Sequence, residues 1–142
     1  QGLVLIKSIE RLMFRVLRTF ATKFSKGENK LFTSNAPTTA MAKEFADAEI
    51  KAHKVMVFSA TYCPYCTMAK DALTSTGTKF HVVELDKRED GDAILEYLGN
   101  LTGADTVPRV FIGQKFVGGG TDVRALQQQG KLVPLLKEAG AL

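Results

Sequence analysis

Two cysteines, Cys63 and Cys66, are the only thiols in the chain, and only Pro64 and Tyr65 separate them. This spacing lets one sulfur sit at the first turn of a helix while the other stays within reach to close a disulfide. The first turn carries unsatisfied backbone N–H groups and the positive end of the helix dipole, both of which favour an anion. A thiolate is stabilised there, and the thiolate is the form that attacks disulfides. Proline suits such a start, because the N–H it lacks has no partner at that position anyway. The pair reads as a redox couple. A disulfide this short closes a loop too small to stabilise much, and two cysteines are too few for a secreted disulfide scaffold, so a reducing compartment is the better fit.

The elements that would hold this pair can be read from periodicity. Ala42–His53 carries Phe45, Ala46 and Ile50 at helical spacing. Val55–Phe58 is a continuous apolar run, as in a strand buried on both faces. Ser59–Tyr62 turns the chain into the CxxC helix, which should run to about Ser75 with Met68, Ala69, Ala72 and Leu73 inward. Phe80–Leu85 reads as a second strand. Asp92–Leu101 reads as a helix with Asp92 as its cap and Ile94, Leu95, Leu98 and Leu101 on one face. Arg109–Ile112 and Lys115–Val117 are short strands around a Gly113-Gln114 hairpin turn, followed by helices over Thr121–Gln128 and Leu132–Ala139. This order predicts an α/β three-layer sandwich with a mixed four-stranded sheet flanked by helices. A CxxC at a strand-to-helix junction within it points to a thioredoxin-like fold.

A chain of 142 residues with 45% hydrophobic content can build one ordinary core. The net charge of +4 is unevenly placed. Residues 1–40 hold seven basic residues against two acids, and residues 41–142 hold twelve against thirteen. The basic character therefore belongs to the first segment, and the folded part offers no nucleic-acid surface. No apolar run reaches the roughly 18 residues needed to span a bilayer, so no membrane partner is expected. Met13–Phe24 places Met13, Leu17, Phe20 and Phe24 at helical spacing among Arg15, Arg18 and Lys23, ahead of a Ser/Thr-rich tract. Residues 1–40 are thus expected to be an extension of the mitochondrial transit-peptide type, or a disordered arm, before a domain over residues 41–142. Met13 and Met41 are natural starts for two forms, which would place the protein in mitochondria, in the cytoplasm, or in both.

From Lys54 to Leu142 the chain resembles a dithiol glutaredoxin. The residues that carry the resemblance are Lys54–Cys66 (KVMVFSATYCPYC), Thr106–Ile112 (TVPRVFI) and Gly118–Asp122 (GGGTD). The resemblance implies a glutathione-dependent thiol–disulfide oxidoreductase with glutathione as co-substrate and no tightly bound cofactor. Cys63 would be the nucleophile and Cys66 the resolving thiol. Thr106, Val107 and Pro108 would form a cis-proline loop whose backbone pairs with the cysteine moiety of glutathione. Thr121 and Asp122 would receive the γ-glutamyl carboxylate on their N–H groups, with the Asp122 carboxylate meeting its ammonium. Gly119 and its neighbouring glycines would allow close approach, and Tyr65 would flank the tripeptide. Partners would be glutathione and glutathionylated or disulfide-containing proteins, acted on by a monomer.

Two positions depart from that pattern. Many relatives carry lysine three residues before the nucleophile, where this chain has Ala60, and a basic residue or glutamine just ahead of TVP, where it has Ala104-Asp105. Two charge-assisted contacts of about 1.5–3 kcal/mol each to the glycine carboxylate of glutathione would be missing or replaced. Weaker glutathione binding and a less favoured Cys63 thiolate are expected, and a thioredoxin-type reductase that does not use glutathione stands as an alternative. A carrier of an iron–sulfur cluster between subunits is another, disfavoured by Pro64 where carriers hold a less constrained residue. No metal site is expected: there is no second CxxC, and His53 and His81 read as ordinary surface or sheet positions. The Gly118–Gly120 run lacks the Lys-Ser/Thr of a phosphate loop. Arg109 and Lys115 read as cations at strand edges, solvating them or orienting acidic substrates.

Overall fold

The computed structural model describes residues 39–142, so the expectations for residues 1–38 lie outside the described residues. The elements are α1 (Thr39–Ala52), β1 (Val55–Ser59), α2 (Pro64–Ser75), β2 (His81–Glu84), a 3-10 turn (Leu85–Lys87), α3 (Gly91–Thr102), β3 (Arg109–Ile112), β4 (Lys115–Gly118), α4 (Gly120–Gln128) and α5 (Leu132–Glu138). The strands form one mixed sheet in the order β2-β1-β3-β4. β1 runs parallel to β2, with Met56 opposite His81 and Ser59 opposite Glu84. It runs antiparallel to β3, with Phe58 opposite Arg109.

Successive side chains of a strand point to opposite faces. In β1, Met56 and Phe58 therefore meet Ala42, Ala46 and Ile50 of α1 and Ile94 and Leu98 of α3 on one face. Val55 and Val57 meet Ala69 and Leu73 of α2, Val123 of α4 and Leu132 and Leu136 of α5 on the other. All five residues of β1 are buried, as the unbroken apolar run predicts. The result is the thioredoxin-like three-layer sandwich expected from the element order. The β3–β4 turn has positive φ at both central residues, 58° at Gly113 and 67° at Gln114, the backbone that a two-residue hairpin requires.

Several local expectations change. The cap of α3 is Asp90 rather than Asp92, and the helix begins at Gly91. Gly91 packs against the 3-10 turn so closely that a Cβ there would lie 2.0 Å from the Leu85 carbonyl oxygen. Leu101 is exposed. It stands in the last turn before the left-handed Gly103, while its neighbour Thr102 takes the inward position by accepting from Arg109. Strand β2 is shorter than read, because Leu85 already belongs to the 3-10 turn. Helix α4 opens one residue early, at Gly120. The largest change is at Arg109, which is not a solvated edge cation: it lies on an inner strand and is only 1% exposed. His53 and His81 do not stand apart either, but stack ring on ring.

Candidate active site

Chain order brings the end of β1, the start of α2, the loop before β3 and the start of α4 to one end of the sheet. Cys63 is the N-cap of α2, with Pro64 in the first helical turn. Its backbone is set by two hydrogen bonds, from the Cys63 N–H to the Ala60 carbonyl (3.2 Å) and from the Thr67 N–H to the Cys63 carbonyl (3.3 Å). Its thiol is partly exposed and points at the Val107 carbonyl oxygen, 3.6 Å away. Cys63 stands at the first turn of α2, where open N–H groups and the positive helix end favour an anion, although its thiol makes no capping hydrogen bond there.

Cys66, one helical turn in, is fully buried. Burial pushes its thiol pKa up. The Ala60 N–H, 3.5 Å from the sulfur, and the Ser59 hydroxyl oppose that rise in part, and Cys63 adds to it. Both cysteines are free thiols. The environments therefore divide the labour: Cys63 is accessible and sits at a positive helix end, whereas Cys66 is shielded and held as a thiol.

Beside Cys63 lies an open cavity of about 550 Å³. Tyr65, Thr106, Val107, Pro108, Gly119, Thr121 and Asp122, every residue expected to touch glutathione, line it. Ala104, Arg109, Phe116, Gly118 and Gly120 complete the wall. The Val107–Pro108 peptide bond is cis, as the resemblance implies. At the far end, the Gly119 N–H donates to Asp122 Oδ2 at 2.8 Å, which closes the N-terminus of α4. The helix begins at Gly120, so its first N–H groups, including those of Thr121 and Asp122, have no carbonyl of their own helix to meet. They form a ready anion site. The glycine run is used partly by the protein itself. A Cβ on Gly120 would lie 2.2 Å from the Tyr65 carbonyl oxygen, and one on Gly118 would lie 2.4 Å from Asp122 Oδ2. Gly119 has only the Pro108 oxygen at 3.6 Å and the Asp122 Oδ2 at 3.9 Å near its Cβ position, and it is the one left open to the groove.

The two departing positions sit differently from what spacing suggests. Ala60 is buried, 4% exposed, and its N–H serves Cys66. Asp105 lines a separate hollow with Asp92, Leu95 and Glu96, outside the groove wall. Its charge acts on buried Arg109, partly offsetting the desolvation that lowers the Arg109 pKa.

Two residues that position the site were not recognised in the sequence. The Arg109 guanidinium donates to the Thr106 carbonyl at 2.5 Å and the Leu98 carbonyl at 3.0 Å, and also to the Ala104 carbonyl and the Thr102 hydroxyl. It thereby ties the end of α3 to the loop that carries Thr106, Val107 and Pro108. A charged residue inside the otherwise apolar run Val107–Ile112 was the signal. The second is Asp86 in the 3-10 turn, whose carboxylate accepts from the Thr61 N–H at 3.0 Å and from the Thr61 hydroxyl. These bonds fix the loop just ahead of Cys63 and lower the Asp86 pKa, the Thr61 hydroxyl contributing most.

Residues 55–117 match the Glutaredoxin family model. A glutaredoxin from Vernicia fordii is 46% identical over 102 residues, covering 72% of this chain and 98% of its own. Glutaredoxin-C2 of Arabidopsis thaliana is 48% identical over 102 residues, covering 72% of this chain and 92% of its own. Among solved structures, a buckwheat glutaredoxin–glutathione complex superposes with a TM-score of 0.71 at 42% identity, covering 73% of this chain and 94% of that one. With the dithiol at a helix start and the groove beside it, these relationships establish that the chain belongs to the glutaredoxin family and is a thiol–disulfide oxidoreductase.

Proposed function

We propose that Cys63 carries the glutathione-dependent exchange, that Cys66 resolves it, and that the groove between the Val107 backbone and the start of α4 is the glutathione seat. The observation that carries this reading is the Cys63 thiol at the N-terminus of α2, 3.6 Å from the Val107 carbonyl at the edge of that groove. The Cys63 thiolate attacks the glutathione sulfur of a glutathionylated protein. The protein thiolate leaves and takes up a proton, and a Cys63–glutathione disulfide remains. A second glutathione thiolate attacks the glutathione sulfur of that disulfide, releasing oxidised glutathione and regenerating the Cys63 thiolate. On a protein disulfide, Cys63 forms a mixed disulfide with the substrate. Cys66 then loses its proton and attacks the Cys63 sulfur, expelling the second substrate thiolate, and two glutathiones reduce the resulting Cys63–Cys66 disulfide. Potentials of this class lie around −200 to −230 mV, so a reduced glutathione pool can drive the cycle.

The orientation of bound glutathione follows from charge. The γ-glutamyl carboxylate meets the open N–H groups at Thr121 and Asp122, and the cysteine moiety lies extended along Val107. Tyr65, 54% exposed, covers one side. Family membership does not favour the cluster-carrier or thioredoxin-type alternatives. Protein disulfides and glutathionylated proteins are the macromolecular substrates, handled by a monomer. The basic segment in residues 1–40 supports use in mitochondria as well as in the cytoplasm.

An assay coupled to glutathione and glutathione reductase, run beside one coupled to thioredoxin reductase, tests the chemistry. Cys63→Ser is expected to abolish turnover with every substrate. Cys66→Ser is expected to retain deglutathionylation and lose reduction of protein disulfides. Turnover with thioredoxin reductase alone, or activity surviving Cys63→Ser, would refute the assignment. Mass spectrometry of the N terminus in separated mitochondrial and cytosolic fractions tests the destination. Distinct N termini in the two fractions are expected, and one N terminus confined to a single fraction would overturn dual use.

A further inference from the structure

The chain has two histidines, and both come to one place. His53 follows the end of α1, and His81 opens β2. Their rings stack with centroids 4.0 Å apart and planes 8° from parallel. Beside them, from the last turn of α1, stands Glu49, whose Oε2 lies 3.4 Å from His53 Nε2 and 3.4 Å from His81 Nε2. That oxygen is buried and has no hydrogen-bond partner among the described residues, although both ring nitrogens are close. A buried carboxylate oxygen left this way is costly, and an ordinary surface cluster would relax to remove the cost.

The separations have a chemical meaning. With Zn–N and Zn–O bonds of about 2.0–2.2 Å, neighbouring ligands on a tetrahedral ion stand about 3.3–3.5 Å apart. Both nitrogen–oxygen separations fall there, and the three ligand atoms all lie within 4.8 Å of one another. Parallel rings cannot both aim their lone pairs at one ion, so each must swing about its χ2 torsion, which is a broad, soft torsion for histidine. Arg88, the cation whose field reaches Glu49, spends its hydrogen bonds on Asp90 at 2.7 Å and leaves the Glu49 oxygen unclaimed.

We propose that Glu49, His53 and His81 form a binding site for a zinc-class divalent cation, with water completing the coordination. Two imidazoles and one carboxylate suit zinc, copper or nickel, whereas calcium and magnesium prefer oxygen ligands throughout. The site lies away from the dithiol. His81 pairs with Met56 near the start of β1, whereas Cys63 follows that strand's far end, and none of the three residues lines the glutathione groove. The ion would clip the end of α1 to the start of β2, stabilising the domain without touching the exchange chemistry.

The test uses the full chain with Cys63→Ser and Cys66→Ser, which removes both thiols as competing ligands and leaves His53 and His81 as its only imidazoles. Calorimetric titration with zinc is expected to give one ion per chain. Cobalt is expected to give visible bands without thiolate charge transfer, and histidine side-chain NMR signals are expected to shift for both residues. His53→Gln and His81→Gln, made singly, are expected to lower zinc affinity at least tenfold, and zinc is expected to raise the thermal midpoint of the parent alone. In the chain that keeps its cysteines, both variants are expected to keep full oxidoreductase activity. No saturable zinc uptake, uptake unchanged by both variants, or zinc that leaves the histidine signals in place would overturn the proposal.

Discussion

Replacing Arg109 by methionine should damage glutathione use through a loop that Arg109 itself does not belong to. The guanidinium is 1% exposed and bonds the carbonyls of Leu98, Ala104 and Thr106 and the hydroxyl of Thr102. Hydrogen bonds to a charged group contribute about 1.5–3 kcal/mol each, and a buried acceptor left without its donor costs about 1–3 kcal/mol. Against this, the variant no longer desolvates a charge, which returns several kcal/mol. A net loss of about 2–4 kcal/mol remains, since methionine fills much of the volume but none of the bonds. At about 4 °C per kcal/mol for a domain of this size, the thermal midpoint should fall by roughly 8–16 °C. Below that midpoint the freed Thr106 carbonyl lets the Val107 backbone drift. Misplacement on the scale of 1 Å can cost about a hundredfold in efficiency. The loss should appear in KM for glutathionylated peptide rather than in kcat, because Cys63 is carried by its own helix. Arg109→Lys, which keeps the charge but not the planar fork, should recover part of the stability and little of the KM. Coupled assays at 15 °C together with thermal melts decide the matter. A midpoint within about 3 °C of the parent, or a folded Arg109→Lys protein with unchanged KM, would refute the positioning role.

Ala60→Lys should speed alkylation of Cys63 by iodoacetamide and lower KM for glutathione; if neither moves, the expectation that Ala60 weakens glutathione binding and the thiolate is wrong. Asp86→Asn should destabilise the protein at neutral pH, and the sign of its pH dependence is fixed. The folded-state pKa of Asp86 lies below its ordinary value of 3.8, so its contribution is complete above that value and disappears as pH falls through the folded pKa. The gap in thermal midpoint between parent and variant should therefore be constant above about pH 5 and shrink towards pH 3. Gln114→Gly should raise stability by about 1 kcal/mol, because a non-glycine residue at φ 67° bears a left-handed penalty; denaturant melts check it. Gly119→Ala should raise KM for glutathione with the melt unchanged, while Gly120→Ala should lower the melt, because its Cβ meets the Tyr65 carbonyl oxygen at 2.2 Å.

What could be read in the chain, and what could not, follows the range of the interactions. The unbroken apolar run of β1, the Gly113-Gln114 turn and the Cys63-Pro64 helix start are local signals, and the structure has all three. The residues that line the cavity beside Cys63 were legible because most of them sit in short motifs. Arg109 was misread because a charge in a short strand is usually solvated. Its exception depends on carbonyls of Leu98, Ala104 and Thr106 turning inward, which no spacing reveals. Asp86 escaped notice because its partner Thr61 is twenty-five residues away across the β1–β2 pair. The histidine stack depends on the parallel register that sets His81 beside Met56, and so beside the residues that lead into β1.

The glycine run shows how three motifs far apart in the chain become one device. Read alone, Gly118–Gly120 suggests room for a ligand, but two of the three glycines admit the protein's own atoms: Asp122 at Gly118 and the Tyr65 backbone at Gly120. The Tyr65 contact joins the helix that carries the dithiol to the helix that offers its N–H groups to an anion. The Cys63 thiol in turn faces the Val107 carbonyl, and Arg109 holds the residue before Val107. A displacement at any one of these places therefore moves the Cys63 thiol relative to the walls of the cavity beside it. Close packing makes this coupling stiff: Gly120 and the Tyr65 carbonyl meet backbone to backbone, so closely that a Cβ on Gly120 would lie 2.2 Å from that oxygen. It follows that the spacing between the start of α2 and the start of α4 is set where backbone meets backbone, at Tyr65 and Gly120.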